Sequence, residues 1–281
     1  MATPLILILS MAYACYFIND SLIKYYAPKL DTAYLIRRRT YFSILFASVW
    51  LFFSGEWMRV PSTTTTFQII GIAVLCTAGL FFFVKANQYT SFPNVIVVNL
   101  MGLLTQQLVA YLFLQEELKQ SYLTSMLLIF LGVFVLASIP NLKKGLFYAL
   151  MSTLFWSLGY ALLSVPLKYT SAVWGAFIVE LVILLLALFG FKYLVRTQAS
   201  VVSPQPSNSF FFLMGFLSII GSILFNYAYQ HYQVSQISLL YMPFYPLSIL
   251  ISKLFFREQL GIKEWIGNGF ILTGIIYSQL F

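Results

Sequence analysis

The sequence predicts an all-α polytopic membrane protein, with ten transmembrane helices arranged as two inverted five-helix repeats. Two observations support this fold class. The first is composition: of the 281 residues, 60% are hydrophobic and only 9% are charged, and the mean hydropathy is +0.87. An ordinary soluble domain has roughly 25% charged residues. The second is an internal similarity between the two halves of the chain.

The apolar residues are grouped in runs that are long enough to cross a bilayer. A hydrocarbon core about 30 Å thick requires about 20 apolar residues in a helix. Unbroken apolar runs favour helices over the alternating strands, about 10 residues long, of a transmembrane barrel. The ten predicted spans lie near residues 4–23, 33–54, 67–88, 93–114, 120–140, 145–165, 171–193, 209–230, 235–256 and 262–280.

The two halves of the chain resemble each other at a separation of half the chain length. The segment Leu112–Leu118, with the sequence LFLQEEL, recurs as Leu254–Leu260, with the sequence LFFREQL. We call the shift that carries Leu112 to Leu254 the motif offset. An ungapped match that includes a Glu is unlike the chance matching of apolar residues. The similarity divides one integral membrane domain into a first repeat at residues 1–141 and a second repeat at residues 142–281.

The number of helices in each repeat predicts how the repeats are related. Five is an odd number, so the second repeat has to enter the membrane from the side opposite to the first. The repeats are then related by a pseudo-two-fold axis in the membrane plane. Such inverted repeats are typical of alternating-access transporters, because exchanging the conformations of the two repeats moves the opening of a central site to the other side.

Polar stripes on two equivalent helices predict a cavity shared by the repeats. The fourth span carries Asn99 on one face, and the ninth span carries Tyr241 and Tyr245 one helical turn apart. A stripe of this kind can be the surface that packs against a neighbouring helix. Its presence at equivalent places in both repeats favours a cavity between them.

Three ionisable residues in the spans are candidates for coupling or gating: Asp20, Arg38 and Glu180. Glu180 lies in an apolar run with no other charge, and a carboxylate at that depth has to be protonated, paired or hydrated. The motif offset places Glu180 opposite Arg38, which suggests a structural ion pair or a gate. The alternatives are a proton-coupling or substrate role for Glu180, and interfacial positions for Asp20 and Arg38.

The chain resembles the EamA-type transporters of the drug/metabolite transporter superfamily over nearly its whole length. The resemblance rests on the five-plus-five order of the spans, on Leu-Phe-x-x-Glu-x-Leu before the fifth and tenth spans, and on the Trp-Ser-x-Gly-Tyr motif that begins at Trp156. These motifs indicate the fold and leave the substrate open. The first span departs from the family, since it has Ala14-Cys15 in the region where the family commonly has Trp-Gly.

The resemblance implies a central cavity lined by helices 1, 3, 4, 6, 8 and 9, through which a small organic metabolite such as an amino acid is exported or exchanged. Lys85, on the third helix, is one candidate residue of this cavity, and its alternative is to extend its amine to the lipid headgroups. On these helices, the candidate residues of the substrate cavity are Asn19, Lys85, Asn99, Trp156, Tyr160, Asn226, Tyr241 and Tyr245.

The expected partners are a small-molecule substrate and the lipid bilayer of the cytoplasmic membrane. No cofactor or metal site is expected, because Cys15 and Cys76 have no metal-ligand spacing. The net charge of +8 is a property of loops in a membrane protein, so it does not predict nucleic-acid binding. The sequence is compatible with a monomer and with a homodimer.

An intramembrane enzyme and a channel are the alternative functions. The chain has a single histidine, His231, and contains neither HExxH nor Gly-x-Ser-x-Gly, so an enzyme would lack a recognisable catalytic constellation. It also lacks a phosphate-binding loop, which argues against an ATP-driven pump. Inverted repeats would permit a channel, but the sequence shows no ring of like charges and no carbonyl filter.

The distribution of basic residues predicts the side on which the termini lie. The odd-numbered connections between spans hold 13 of the 16 lysines and arginines, and these residues accumulate on the cytoplasmic side. The count therefore places both termini outside, whereas the family resemblance implies termini inside. A reporter enzyme that works only in the cytoplasm, fused to the C-terminus, should show little activity. Strong activity would contradict the orientation derived from the charge count.

Overall fold

The computed structural model describes residues 2–117, 121–190, 207–237 and 244–280. Helices dominate these ranges, and no strand occurs in them. Short 3-10 turns at Glu56–Met58 and Pro140–Leu142 precede the third and seventh helices. The helices are α1 (Ala2–Tyr26), α2 (Thr32–Phe53), α3 (Thr63–Tyr89), α4 (Phe92–Leu100), α5 (Gly102–Leu114), α6 (Tyr122–Ala137), α7 (Lys143–Leu167), α8 (Ala172–Leu185), α9 (Asn208–His231), α10 (Val234–Ile237), α11 (Phe244–Ile251) and α12 (Ile262–Leu280).

Each predicted apolar span coincides with one helix or with two consecutive helices. The fourth span is interrupted at Met101, between α4 and α5, and the ninth span contains α10 and α11. Two helices continue as a π-helical turn, at Leu186–Gly190 after α8 and at Ser252–Phe256 after α11. Irregular backbone of this kind is tolerated in a membrane where protein or a cavity surrounds it.

Six helical segments in the described ranges are long and apolar enough to cross a bilayer, and two further apolar helices are shorter. The chain is therefore an all-helical, multi-pass membrane protein, as the sequence predicted. The number of crossings and the inverted relation of the repeats stay predictions. The six segments are Pro4–Tyr26, Thr63–Tyr89, Phe92–Leu114, Pro140–Leu167, Ala172–Gly190 and Asn208–His231.

Helices of the first half pack mainly against helices of the second half. The contacts of α1 with α9 correspond to those of α7 with α3, and the contacts of α2 with α9 correspond to those of α8 with α3. Two further extensive contacts join equivalent helices, α2 with α8 and α6 with α12. The core is consequently formed mainly between the two halves.

Two glutamates hold the first residue of a helix in the opposite half. Glu116 Oε1 accepts a hydrogen bond of 3.2 Å from the N–H of Val234, and Glu258 Oε2 accepts one of 2.9 Å from the N–H of Phe92. The motif offset carries Glu116 to Glu258, and it also carries Phe92 to Val234. The internal similarity of the sequence thus corresponds to two equivalent contacts between the halves.

The repeated motif also ends a helix in the same way in each half. Gln115 and Arg257, the residues before the two glutamates, adopt the left-handed conformation, with φ of 58° and 55°. This conformation is uncommon for residues other than glycine and commonly closes a helix. In each half, the left-handed residue turns the chain so that the side chain of the glutamate that follows it reaches the opposite half.

The close contact between α6 and α12 depends on glycines. A Cβ atom at Gly132 would lie 2.5 Å from the carbonyl oxygen of Gly267 and 2.6 Å from Cγ1 of Ile271. Small residues at such an interface allow the backbones of membrane helices to approach each other. A larger residue at Gly132 has to separate the two helices.

We expect Gly132→Val to lower the thermal unfolding temperature of the purified protein in detergent, because overpacking costs about 1–3 kcal/mol. Gly71→Val is the matched control, since Gly71 is also inside a helix and a Cβ there would meet nothing within 4 Å. The control corrects for the effect of valine on the helix itself. Equal losses in the two variants would show that the α6–α12 contact does not require a glycine.

Candidate functional site

A cavity of about 140 Å³ lies between the two halves. Its walls are formed by α1, α2, α3, α7, α8 and α9, and by the region where α4 is followed by α5. The residues that line it come from the middle parts of most of these helices. The cavity is therefore a central one, formed by the packing of the two halves against each other.

One wall of the cavity is polar and is formed by α1 and α9. Tyr16, Asn19 and Asp20 lie within about one turn of α1 and all line the cavity. On α9, Ser222 Oγ lies 2.9 Å from Tyr16 Oη, which links the two helices by a hydrogen bond. Tyr13, one turn earlier on α1, donates a hydrogen bond of 3.0 Å to the carbonyl of Ile237.

An adjoining part of the cavity wall, formed by α7 and by another part of α9, is mostly aromatic. The ring of Tyr160 on α7 lies 6.3 Å from that of Phe225 and 6.4 Å from that of Tyr229, in stacked arrangements. Trp156, one turn before Tyr160, packs against Gly79, where its indole fills the space that a Cβ would need. A larger residue at position 79 would therefore push the indole from its place.

Asn99 lies next to the interruption between α4 and α5. Its Oδ1 is 3.0 Å from Oγ1 of Thr153 on α7, and the same hydroxyl lies 3.1 Å from the carbonyl of Val98. This hydroxyl supplies a polar partner at the interrupted part of the span, where the helical ladder is incomplete. Asn99 and Thr153 both line the cavity.

A buried ion pair lies at the edge of the cavity. Nη2 of Arg39 lies 2.9 Å from both carboxylate oxygens of Glu180, and Oγ of Ser218 donates a hydrogen bond of 2.9 Å to Oε1. Arg39 is 4% exposed and Glu180 is 2% exposed. Arg39 lines the cavity and joins α2 to α8, and Ser218 adds α9 to the same cluster.

The partner of Glu180 differs from the one suggested by the sequence. The motif offset placed Glu180 opposite Arg38, whereas the structure pairs it with Arg39. Arg38 instead donates a hydrogen bond of 2.6 Å to Oδ1 of Asn208, and its guanidinium lies 5.7 Å from the ring of Phe211. Arg38 therefore contacts the start of α9 and does not reach the buried carboxylate.

The helix starts of α2 and α8 follow a shift that differs from the motif offset. Asp31 and Ser171 are the N-caps, and the side chain of each accepts a hydrogen bond from a backbone N–H in the first turn, at 3.0 and 3.2 Å. The motif offset would carry Asp31 past Ser171 to Val173. We call the shift that carries Asp31 to Ser171 the cap offset.

The cap offset also leaves the two partners of the ion pair one position out of register. It carries Thr40, the neighbour of Arg39, to Glu180. The motif offset therefore holds for the later helices of each half, and the cap offset holds for the earlier ones. A single shift applied to the whole chain misplaces the earlier helices.

Five of the candidate site residues line the cavity: Asn19, Asp20, Asn99, Trp156 and Tyr160. They come from α1, α4 and α7, so the structure brings together residues that are far apart in the sequence. The candidate Glu180 is not among the lining residues, but it is connected to the cavity through its ion pair with Arg39, which does line it.

The other candidate residues lie elsewhere. Asn226 donates a hydrogen bond of 3.0 Å to the carbonyl of Ala172 and so fastens α9 to α8. The amine of Lys85 lies 6.0 Å from the ring of Phe81, and Tyr245 is buried. None of these three is among the residues that line the cavity. Tyr241 lies outside the described residues.

Several cavity residues were not selected from the sequence. Those on α9 had a detectable signal, because Ser218, Ser222, Phe225 and Tyr229 follow the i, i+4, i+7, i+11 spacing of one helix face. Arg39 had no such signal in the sequence, because three consecutive arginines do not show which of them faces the protein interior. The remaining unselected residues of the wall include Tyr13, Tyr16, Cys76, Gly102, Gln106, Thr153 and Ser157.

The cavity offers a ligand hydrogen bonds, aromatic surface and charge. These features suit the reversible binding of a small organic molecule. In the described part of the chain, no group of three or more His, Cys, Asp or Glu residues is placed to hold a metal ion.

We expect Arg39→Met to destabilise the protein strongly, because it leaves Glu180 as an unpaired buried charge, at a cost of about 3–5 kcal/mol. Arg38→Met is the matched control and should cost about 0–1 kcal/mol, as for an exposed interaction. The double variant Arg39→Met/Glu180→Leu should recover much of the loss, since both charges are removed together. Thermal unfolding of the purified variants measures all three. Similar losses for Arg38→Met and Arg39→Met would contradict the observed pairing.

Comparisons with known proteins identify a family and a fold. Residues 143–279 match the EamA-like transporter family. A crystal structure described only as that of a protein has a TM-score of 0.67 and 16% sequence identity, over 99% of this chain and 97% of that chain. At this identity, the similarity shows a shared fold alone. No curated protein matches the chain. Residues 143–279 therefore form an EamA-like transporter family domain, whose family members are membrane transporters of the drug/metabolite transporter superfamily, and this confirms over these residues the resemblance found in the sequence.

Proposed function

We propose that the protein is a secondary transporter that moves a small organic metabolite, such as an amino acid or a related compound, across the cytoplasmic membrane by alternating access. The observation that carries this proposal is the central cavity, which is formed between the two halves and lined by polar and aromatic side chains. A site between two equivalent halves can be opened to either side when the halves rearrange. The expected partners are the substrate and the surrounding lipid.

Ten helices in two inverted repeats are part of the proposal. The reciprocal bonds of Glu116 and Glu258 support it, because equivalent groups of the two halves hold equivalent groups of the other half. A pseudo-two-fold axis requires reciprocal contacts of this kind, in which each half contacts the other through equivalent groups. The correspondence of helix contacts, α1 with α9 and α7 with α3, agrees with a boundary between the repeats near residue 141.

A buried lysine at the end of α1 makes a further contact between the two halves, which supports a closed state at one end of the proposed transport pathway. Nζ of Lys24 lies 2.8 Å from Oε1 of Glu258, and it donates hydrogen bonds to the carbonyls of Asn87 and Thr90 at 3.1 and 2.7 Å. These contacts join the end of α1 to the end of α3 and to the segment after α11. In the other half, the cap offset places Ser164 at the position of Lys24. The equivalent position in the other half therefore carries no ammonium group.

The three ionisable candidates have different proposed roles. The bonds of Glu180 to Arg39 and Ser218 support a structural or gating ion pair. Asp20 faces the cavity, which supports a role in coupling or in substrate binding. Arg38 contacts Asn208 at the start of α9, which supports an anchoring role near the membrane boundary.

The transport proposal is tested with reconstituted protein. A panel of metabolites is first screened for thermal stabilisation, because a ligand at 100 times its Kd should stabilise by about 2.7 kcal/mol. The stabilising compound is then used in counterflow experiments in liposomes. We expect saturable exchange, and we expect Trp156→Leu to weaken binding roughly tenfold, the equivalent of about 1.4 kcal/mol.

Trp50→Leu is the matched control, because Trp50 lies on α2 outside the cavity and is 45% exposed. It should leave exchange unchanged. A flux that rises linearly with concentration and shows no counterflow would favour a channel over a carrier. Equal effects of the two tryptophan variants would remove the cavity from the transport pathway.

A further inference from the structure

The ionisable side chains at the cavity do not balance in charge. The buried cluster contains one arginine, Arg39, and two carboxylates, those of Glu180 and Asp20. Glu180 binds Arg39 directly, whereas Asp20 forms no ion pair with any residue that the structure describes; its carboxyl is hydrogen-bonded by the side chain of Asn19 and lies within electrostatic reach of Arg39. When all three are ionised, one negative charge is left over. A buried carboxyl without an ion-pair partner of its own either takes up a proton or is stabilised by a cation, so the site favours a ligand that brings a positive charge.

The cations elsewhere on α1 do not correct this imbalance. Lys24 is one turn beyond Asp20, but its amine is bound by Glu258 and by two backbone carbonyls. Arg39 is the one basic residue among those that line the cavity in the described ranges. Its guanidinium is already held by both oxygens of Glu180.

A second hydrogen-bond acceptor lies beside Asp20. Asn19 lines the cavity and is 2% exposed, and its Oδ1 is a buried acceptor with no hydrogen-bond partner in the described part of the chain. An ammonium group has three N–H donors and no acceptor. The carboxylate of Asp20 and the amide oxygen of Asn19 therefore match the hydrogen-bonding pattern of a protonated amine.

The aromatic wall supplies the other part of a cation site. Trp156, Tyr160, Tyr16 and Phe225 all line the cavity. The faces of aromatic rings attract organic cations, with energies of about 2 kcal/mol or more where water is excluded. The same rings provide apolar surface for the body of an amphipathic ligand. A small inorganic cation would use the carboxylate but not this surface.

We infer that the transported metabolite is an organic cation: a protonated amine on an aromatic or apolar body, with the ammonium at Asp20 and Asn19 and the body against the rings. This inference rests on the proposed transport function and narrows its substrate class. An organic anion is disfavoured, because it would add a further negative charge beside the carboxylates of Asp20 and Glu180.

Three probes with the same ring test the charge preference. The full-length purified protein is titrated with 2-phenylethylamine, which is a cation at neutral pH, with the neutral 2-phenylethanol and with the anion phenylacetate. Thermal unfolding gives an apparent Kd for each. We expect the amine to bind at least tenfold more tightly than the alcohol, and we expect phenylacetate to bind least. Equal or tighter binding of the alcohol or of phenylacetate would overturn the inference, as would failure of the amine to bind at millimolar concentration.

Two substitutions at Asp20 test whether the preference for the amine over the alcohol depends on the negative charge of this residue. Asp20→Asn should remove the tenfold advantage of the amine, and Asp20→Glu should retain an advantage because it keeps the charge. Asp31→Asn is the matched control, since Asp31 is the N-cap of α2 outside the cavity and asparagine is also a good N-cap. An undiminished preference in Asp20→Asn would contradict the assignment. The comparison of the three probes in the unsubstituted protein holds even if a variant does not fold.

Exchange in liposomes separates this inference from the transport proposal. Saturable counterflow of phenylacetate without counterflow of the amine would leave a transporter but overturn the cationic substrate. Tight and charge-selective binding of the amine without any exchange would support the site but overturn transport. Counterflow of the amine that Asp20→Asn abolishes and Asp31→Asn preserves would support both.

Discussion

The reciprocal bonds of Glu116 and Glu258 are the interactions on which the rest of the structure depends. In a bilayer, each backbone group without a partner costs several kcal/mol. A helix that starts within the protein needs an acceptor for its first N–H groups, and a carboxylate there also interacts favourably with the helix dipole. Here each acceptor comes from the opposite half. The halves cannot separate at either place without exposing backbone groups, so the fold of each half is completed by the other.

This arrangement explains why the cavity is central and why its wall contains both polar and aromatic side chains. The helices that meet across the boundary between the halves are α1, α3, α7 and α9, and each has a face that contacts the other half. Polar side chains on those faces need partners from across the boundary, as in the bond between Tyr16 and Ser222. Where the two faces do not meet completely, polar groups such as Asn19 keep unused hydrogen-bonding capacity. That capacity is what a substrate can use.

Much of the fold could be predicted from composition and periodicity, because the bilayer allows few alternatives to helices. The candidate site was harder to predict. Asn19, Asp20, Asn99, Trp156 and Tyr160 were found because polar and aromatic residues stand out in apolar spans. The predicted partner of Glu180 was the neighbour of the observed one, because neither the motif offset nor the cap offset aligns Arg39 with Glu180 and the sequence does not show which of three consecutive arginines faces α8. The bond of Asn226 to Ala172 depends on the distance between α8 and α9, and a single sequence does not contain that distance.

The bond between Lys24 and Glu258 has a consequence for how the protein responds to its surroundings. Its two side chains are 9% and 21% exposed, so it is an ion pair that water and dissolved ions reach in part. Such a pair weakens as ionic strength rises, whereas the hydrogen bond of Tyr13 to the carbonyl of Ile237 carries no net charge. The two contacts therefore respond unequally to salt. Under the proposed alternating-access mechanism, the conformation held by the Lys24–Glu258 contact would become less favoured as the ionic strength at that membrane face rises.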